Sequence, residues 1–449
     1  MQSINKITGD LLLSISRLSF LGNLEFAIFS RILKAKIKPI QQKSPRLFWG
    51  PIPILNNKYW SKALSGKFVS KTVMQTYYSS INNKDDFDEY EEDILKSFKA
   101  PAFIVQRYKE YFLTYYILKN FDIFHLPFSG GFLGETRHWN KEAALFKKYG
   151  KRTVLIPYGA DAYMYSRIKN ESFQNALLIS YPEAARNEDK IAAKVTYWCQ
   201  NADFIPAGFM IDGFPRWDAV VGNFITIDDA ILSAKKNYTL TDGENGIVTV
   251  VHCPNHRGAK GTEFLIHAIN ELKAEGLKVE LTLIENKKNN EVLRIMNTEA
   301  DILVEQLIMG YGLNAIEGMA SGLPTLSNLS NECYTRLFRR YGTMNECPIV
   351  TADPENIKSV LKQLIRNPPL RKELGEASKN FVKKYHSEEF ARFLFNKIYD
   401  KIWYNNKDMD LMNMFHPLNP DSYNNQIPKI EHPLFENKIP EALLNTLNK

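Results

Sequence analysis

Cysteine is scarce in this chain. Four residues in 449 (Cys199, Cys253, Cys333 and Cys347) form no C-x-x-C pair and no metal-ligand spacing. That excludes a disulfide framework and points to a reducing compartment. Long apolar runs are missing too: no charge-free stretch reaches the ~18 residues that a membrane helix needs. No small-residue cleavage site follows the first apolar segment, so cytoplasmic residence is the expectation. Excess positive charge is thin outside one end. The net charge is +7, and residues 1–46 alone hold eight basic and two acidic side chains. A nucleic-acid partner calls for a wider basic face with base-stacking motifs, and neither is present. Internal repeats are absent. At 449 residues the chain is too long for one core, and two large domains are expected.

The most informative stretch runs from Val248 to Ser330. Residues 248–252 are a β-branched run that stops at Cys253-Pro254-Asn255, which reads as a buried strand opening into a loop. The loop carries His256, Arg257 and Lys260. Gly261 and Thr262 then start a helix with Phe264, Leu265, Ala268, Ile269 and Leu272 at helical spacing. A helix beginning just after a strand offers free N–H groups and a positive dipole end. With Arg257 and Lys260 added, the place suits a phosphate or diphosphate. Further on, 302–304 reads as a strand and Gly310-Tyr311-Gly312 as a turn that lets backbone approach a ligand. Residues 314–320, beginning at Asn314, form a short helix carrying Glu317. A carboxylate there can accept two hydroxyls, as a ribose offers. One loop fits diphosphate and the other fits sugar hydroxyls.

These residues resemble the C-terminal half of GT-B glycosyltransferases, in particular the retaining family four. The resemblance rests on HRGAKGT and GYGLNAIEGMASGLP, covers residues 245–385 well and the N-terminal half loosely. It implies an α/β fold of two doubly wound Rossmann-like domains facing across a cleft, with a C-terminal helix crossing back to the first. It implies a nucleotide-sugar donor, a glycan or lipid-linked glycan acceptor in surface-polysaccharide synthesis, retention of configuration, and no metal or other cofactor. Asn255, His256, Gly261, Gly310, Gly312, Asn314 and Glu317 are then donor-binding, and Arg257 and Lys260 stabilise the leaving diphosphate. The family carries two glutamates with seven residues between them. Here Glu317 is the second, Met309 occupies the first, and Glu305 and Asp301 are the nearest carboxylates. Two rival functions share the fold: a nucleotide-sugar epimerase and a non-catalytic partner subunit.

The rest of the chain sorts around this core. Residues 1–44 are basic and amphipathic, two helices broken at Gly22-Asn23, and either lie on an anionic membrane as a peripheral anchor or pack on the first domain. The first domain spans 45–235. Strands are expected at 47–50, 69–78, 121–126, 153–157, 202–206 and 225–230, with an acidic run at 85–93 forming a solvated loop and helix start, an aromatic helix at 102–120 and two helices in 171–200. Asn56, Trp60 and Lys62 in an early loop and helix are open to an acceptor. His125 ends a strand and is followed by Gly130 and Gly131, at the place where an open α/β sheet has its crevice. Asp161 follows the next strand. The resemblance implies that His125 and Asp161 are the catalytic candidates on this side, with Gly130 and Gly131 facing the donor. Each of the two side chains has a structural alternative: a buried, hydrogen-bonded histidine, and an aspartate closing a turn on backbone N–H groups. A linker at 235–246 leads to the second domain at 245–385, a crossover helix at 386–404 and an irregular tail at 405–449.

Overall fold

The computed structural model describes residues 19–38, 43–79, 82–232, 237–330, 332–416 and 419. Their strands form two separate parallel sheets. The first contains β1 (Leu47–Trp49), β2 (Ser70–Met74), β3 (Glu89–Tyr90), β4 (Ile123–Leu126) and β5 (Arg152–Leu155), in the order β3-β2-β1-β4-β5. A bridge from Val154 to Phe204 continues it toward β6 (Pro206–Gly208) and its partner β7 (Ala219–Gly222). The second sheet contains β8 (Val248–His252), β9 (Val279–Leu283), β10 (Ile302–Gln306), β11 (Thr325–Ser327) and β12 (Val350–Thr351), in the order β12-β11-β10-β8-β9. Both orders are doubly wound. The order reverses between β1 and β4 in the first sheet and between β8 and β10 in the second, and ligands of such sheets bind at the carboxyl ends of those strands.

The central strands are short, unbroken apolar runs, as expected where helices cover both faces of a sheet. Leu47, Phe48 and Trp49 are fully buried, as are Val250, Val251, Ile302, Leu303 and Val304. Helix Glu388–Ile402 begins at Ser387, whose hydroxyl accepts the Phe390 N–H at 3.2 Å. It buries Phe390, Ala391, Leu394, Phe395, Ile398, Tyr399 and Ile402, a helical face laid onto the first domain. There the Phe395 ring meets Trp49 edge-on at 5.0 Å.

Several expectations are corrected. The acidic 85–93 stretch does start a helix, Glu91–Lys96, but just before it Glu89–Tyr90 joins the sheet edge beside Val73 and Met74. The 102–120 helix breaks at Tyr108, and 171–200 holds three helices. No strand forms over 225–230. The strand lies earlier, at Ala219–Gly222, followed by a loop and the helix Asp229–Leu232. Helix Ser19–Lys36 runs straight through Gly22-Asn23. Glycine there serves close approach, since a Cβ on Gly22 would lie 2.2 Å from Arg137 Nη1. Its buried residues Phe29 and Leu33 belong to the first domain's core, while Leu24, Ile28 and Ile32 on another face are about half exposed. The two-helix reading of residues 1–18 lies outside the described residues. The tail is partly packed, with Leu411, Met414 and Phe415 buried; the part from 417 on, save residue 419, lies outside the described residues.

Candidate active site

A cleft of about 850 Å³ lies between the two sheets, lined from both sides at their carboxyl ends. The second domain contributes most of the chemistry. β8 ends at His252, whose two ring nitrogens bond the Val304 carbonyl at 2.7 Å and the Thr262 hydroxyl at 2.9 Å. That pins the strand to β10 and to the start of helix Thr262–Ala274. Burial pushes His252 down to about 4, so it is a neutral strut. The chain then passes through Cys253, Pro254, Asn255 and His256 into a four-residue helix, Arg257–Lys260. Gly261 sits in the left-handed region with φ 72° and turns the chain into the long helix. The expected single helix start at Gly261 is therefore two helical pieces with a glycine hinge between them.

This hinge separates the two cations assigned to the diphosphate. Lys260 points into the cleft and contacts the Glu305 carboxylate, with 14% of the lysine side chain exposed and 1% of the glutamate. Arg257 points away. It makes a fork of two hydrogen bonds to Glu285 at 3.0 and 2.9 Å and reaches Glu263 at 3.2 Å. Arg257 does not line the cleft, and Gly261 does not either: a Cβ on Gly261 would press on Leu307 at 3.0 Å. Asn255 and His256 do line it, and the His256 ring packs against Tyr181 of the first domain at 4.4 Å.

The Gly310 to Glu317 segment arrives on the other side of the switch point. Gly310 has φ 72°, a conformation that glycine takes without strain; Gly312 is extended and lies over Glu305. Helix Leu313–Ala320 brings Asn314 and Glu317 to the wall. Glu317 is buried and accepts one hydrogen bond, from Asn289 Nδ2 at 2.7 Å. Burial without a countercharge raises its carboxyl to about 7. Asn314 Oδ1 is buried and makes no hydrogen bond. Met309 lines the cleft as well. Of the two nearest carboxylates, Glu305 faces the cleft from the end of β10. Asp301 sits at the strand's other end, accepting the Thr239 hydroxyl at 2.6 Å and the Thr249 N–H at 2.9 Å.

On the first domain's side the two catalytic candidates are tied into the fold. His125 is buried, stacked on Trp49 at 3.5 Å, with Nδ1 2.9 Å from the Phe48 carbonyl and Nε2 2.8 Å from the Tyr399 hydroxyl. Burial drives it down to about 3. Both nitrogens are committed, and the ring lies outside the main cleft. Asp161 spends its carboxylate on the N–H groups of Phe128, Tyr158 and Gly159 at 2.8 to 3.0 Å. It closes a turn. Gly130 and Gly131 also lie outside the cleft, because the loop wraps a buried Glu142 that accepts the Gly131 and Leu133 N–H groups at 2.8 and 3.0 Å. The surface this domain does present comprises Asn56, Trp60, Tyr158, Tyr163 and Phe209, among others. Asn56 is tied to the Thr226 N–H at 2.8 Å, and Lys62 pairs with Asp228 and Glu388 away from the cleft. The chain's two Asp-x-Asp triplets, at Asp86 and Asp408, do not line the cleft either.

Glu305 and Asn289 complete the wall. Asn289 carried no motif, and its pairing with Glu317 arises only when helix Asn289–Thr298 packs beside Leu313–Ala320.

No protein-family model matches the chain. It is 24% identical over 351 residues to an uncharacterized glycosyltransferase of Methanocaldococcus jannaschii, covering 70% of this chain and 88% of that one. Among solved structures it is similar to the glycosyltransferase SnogD of Streptomyces nogalater (10% identity, 79% of this chain and 100% of that one, TM-score 0.38). A UDP-glucosyltransferase of Polygonum tinctorium aligns at 11% identity over 81% of this chain and 100% of its own, with a TM-score of 0.42. At such scores these superpositions carry no functional weight.

Proposed function

We propose that this chain is a glycosyltransferase that takes a sugar from a nucleotide-sugar donor and passes it to a glycan acceptor. The observation that carries the reading is one constellation. Lys260, Glu317, Asn314 and the Gly310 turn meet at the β8/β10 switch point of a doubly wound sheet, in a cleft closed from the other side by a second such sheet. Lys260 is the cation for the leaving diphosphate, where charge develops as the glycosidic bond breaks. Glu317 holds the ribose hydroxyls: a buried carboxylate with a single donor has acceptor capacity left for two more. Gly310 and Gly312 let backbone come close to the sugar. Sequence resemblance to GT-B enzymes and the archaeal relative's description support the same class. Retention of configuration, a lipid-linked acceptor and a reaction without metal or cofactor follow from that resemblance and are part of the proposal.

Peripheral membrane contact belongs to it too. Among the described residues no helix is long and apolar enough to cross a membrane. Helix Ser19–Lys36, however, shows Leu24, Ile28 and Ile32 on one exposed stripe, with Arg31, Lys34 and Lys36 exposed alongside. Such a face suits an anionic headgroup layer.

The experiment is incubation with a panel of nucleotide sugars, following nucleoside diphosphate release with and without acceptor glycans. Acceptor-dependent release is expected. Isomerised donor without release would instead mark an epimerase, and no turnover with any donor would remove the enzyme reading.

A further inference from the structure

The cleft that is meant to take a diphosphate carries no excess of positive charge. Its lining holds two cations, Lys260 and Lys287, against three carboxylates, Glu285, Glu305 and Glu317, of which Glu285 is held by Arg257 from outside the lining. Lys260 is already in contact with Glu305. Lys287 pairs with Glu291 at 2.8 Å. Glu305 is almost wholly buried. Among the described residues its one further partner is Ser327, whose hydroxyl lies 3.2 Å from Oε2 and is shared with the carbonyls of Gln306 and Gly310. A dianion entering here must take the ammonium of Lys260 from Glu305. The carboxylate it abandons is then buried without a countercharge, which is strongly unfavourable unless something else donates to it.

We propose that Glu305 is a specificity-determining residue that competes with the donor diphosphate for Lys260, an inference that rests on the diphosphate reading of the cleft. A ligand carrying both parts satisfies both residues: its phosphates take Lys260, and hydroxyls of its sugar, lying over the Gly310–Gly312 turn, donate to Glu305. A bare diphosphate satisfies only Lys260. Once the sugar has moved to the acceptor, its hydroxyls go with it, Glu305 reclaims Lys260, and the spent diphosphate loses its cation. The residue therefore favours intact donor over product and hastens product release. The four-residue helix and the Gly261 hinge hold Lys260 within reach of both partners.

Inorganic pyrophosphate probes this without knowledge of base or sugar. Its dissociation constant is measured by calorimetry on the full chain and on Glu305→Gln and Lys260→Gln. Glu305→Gln should bind pyrophosphate at least tenfold tighter than the wild type, because the ammonium is released from its competitor. Lys260→Gln should lose the binding. Unchanged or weaker binding by folded Glu305→Gln, with the wild type still binding, overturns the proposal and leaves the diphosphate reading standing. If neither protein binds pyrophosphate, that reading itself falls and takes the proposal with it. Should Glu305→Gln fail to fold, Glu305→Asp withdraws the carboxylate by one methylene while keeping its charge. It should bind more tightly than the wild type, and unchanged or weaker binding counts against the proposal in the same way.

Discussion

At the scale of single residues, the cleft is built on two buried carboxylates held in different ways. Glu305 has a cation and Glu317 has none, and their substitutions should differ accordingly. Lys260→Met removes the partner of an almost fully buried carboxylate, so it should destabilise the fold by about 3 kcal/mol, the usual cost of breaking such a pair from one side. Adding Glu305→Gln should recover most of that loss, because the orphaned charge is then gone too; thermal melts of the single and double variants test the coupling. In the sequence Lys260 looks like a loop lysine whose loss costs little stability, and its contact with Glu305 changes that. Glu317 acts in the opposite sense. Its carboxyl rises from an ordinary 4.5 to about 7 on folding, so the folded state holds the proton more tightly than the unfolded one. The resulting penalty is absent below the unfolded value, grows as pH rises between the two, and is complete above about 7. Glu317→Gln does not titrate and should gain melting temperature over the wild type progressively from pH 5 to pH 8, by the equivalent of roughly 2–3 kcal/mol. The same variant should raise KM for donor with a smaller change in kcat, since ribose is held alike before and during bond breaking.

At the scale of elements, the short helix Leu313–Ala320 owes its place to the long helix behind it. Helix Pro368–Tyr385 crosses it so closely that a Cβ on Gly375 would stand 2.2 Å from the Gly322 carbonyl oxygen and 2.5 Å from the Tyr238 hydroxyl. Backbone cannot yield as a side chain does. Gly375→Ala should therefore destabilise by at least 1–3 kcal/mol despite alanine's better helix propensity. In preparations kept folded at low temperature it should also weaken donor binding, because the displaced helix carries Glu317. A variant that melts at or above the wild-type temperature would show that the crossing has slack. The glycine-rich loop after β4 works differently. Its N–H groups are turned inward onto Glu142, which anchors the loop as structure.

At the scale of the whole molecule, the crossover helix joins the domains through His125. Tyr399→Phe leaves Nε2 of that buried ring without its donor and should cost about 1–3 kcal/mol in stability. Turnover per folded molecule should be unchanged, since both ring nitrogens of His125 are bonded within the fold and the ring is not part of the main cleft's lining; a large fall in kcat with normal melting would return His125 to the chemistry. Helix Ser19–Lys36 belongs to the same scale. Deleting it would strip Phe29 and Leu33 from the core, so removal of residues 1–36 is expected to destabilise the first domain as well as release it from membranes. The cleaner variant is Leu24→Glu, Ile28→Glu and Ile32→Glu together. It should lower sedimentation with anionic vesicles severalfold at physiological salt while the melting temperature stays within a few degrees.

What the sequence alone determined is local in character. Apolar runs bounded by glycine and proline marked the central strands. Family resemblance marked the crossover helix, and the order of loops in the second domain brought Lys260, the Gly310 turn and Glu317 to one sheet edge. Short-range patterning suffices there because each such residue sits a few positions from the strand that places it. Tertiary structure decided which polar side chains are left over for a ligand. His125 is answered by a tyrosine 274 residues further on, Asp161 by an amide 33 residues back, Arg257 by Glu285 and Lys260 by Glu305. A buried donor or acceptor must find a partner, and whether that partner is another segment of the chain or a ligand depends on packing across the whole fold, which no local window of sequence contains.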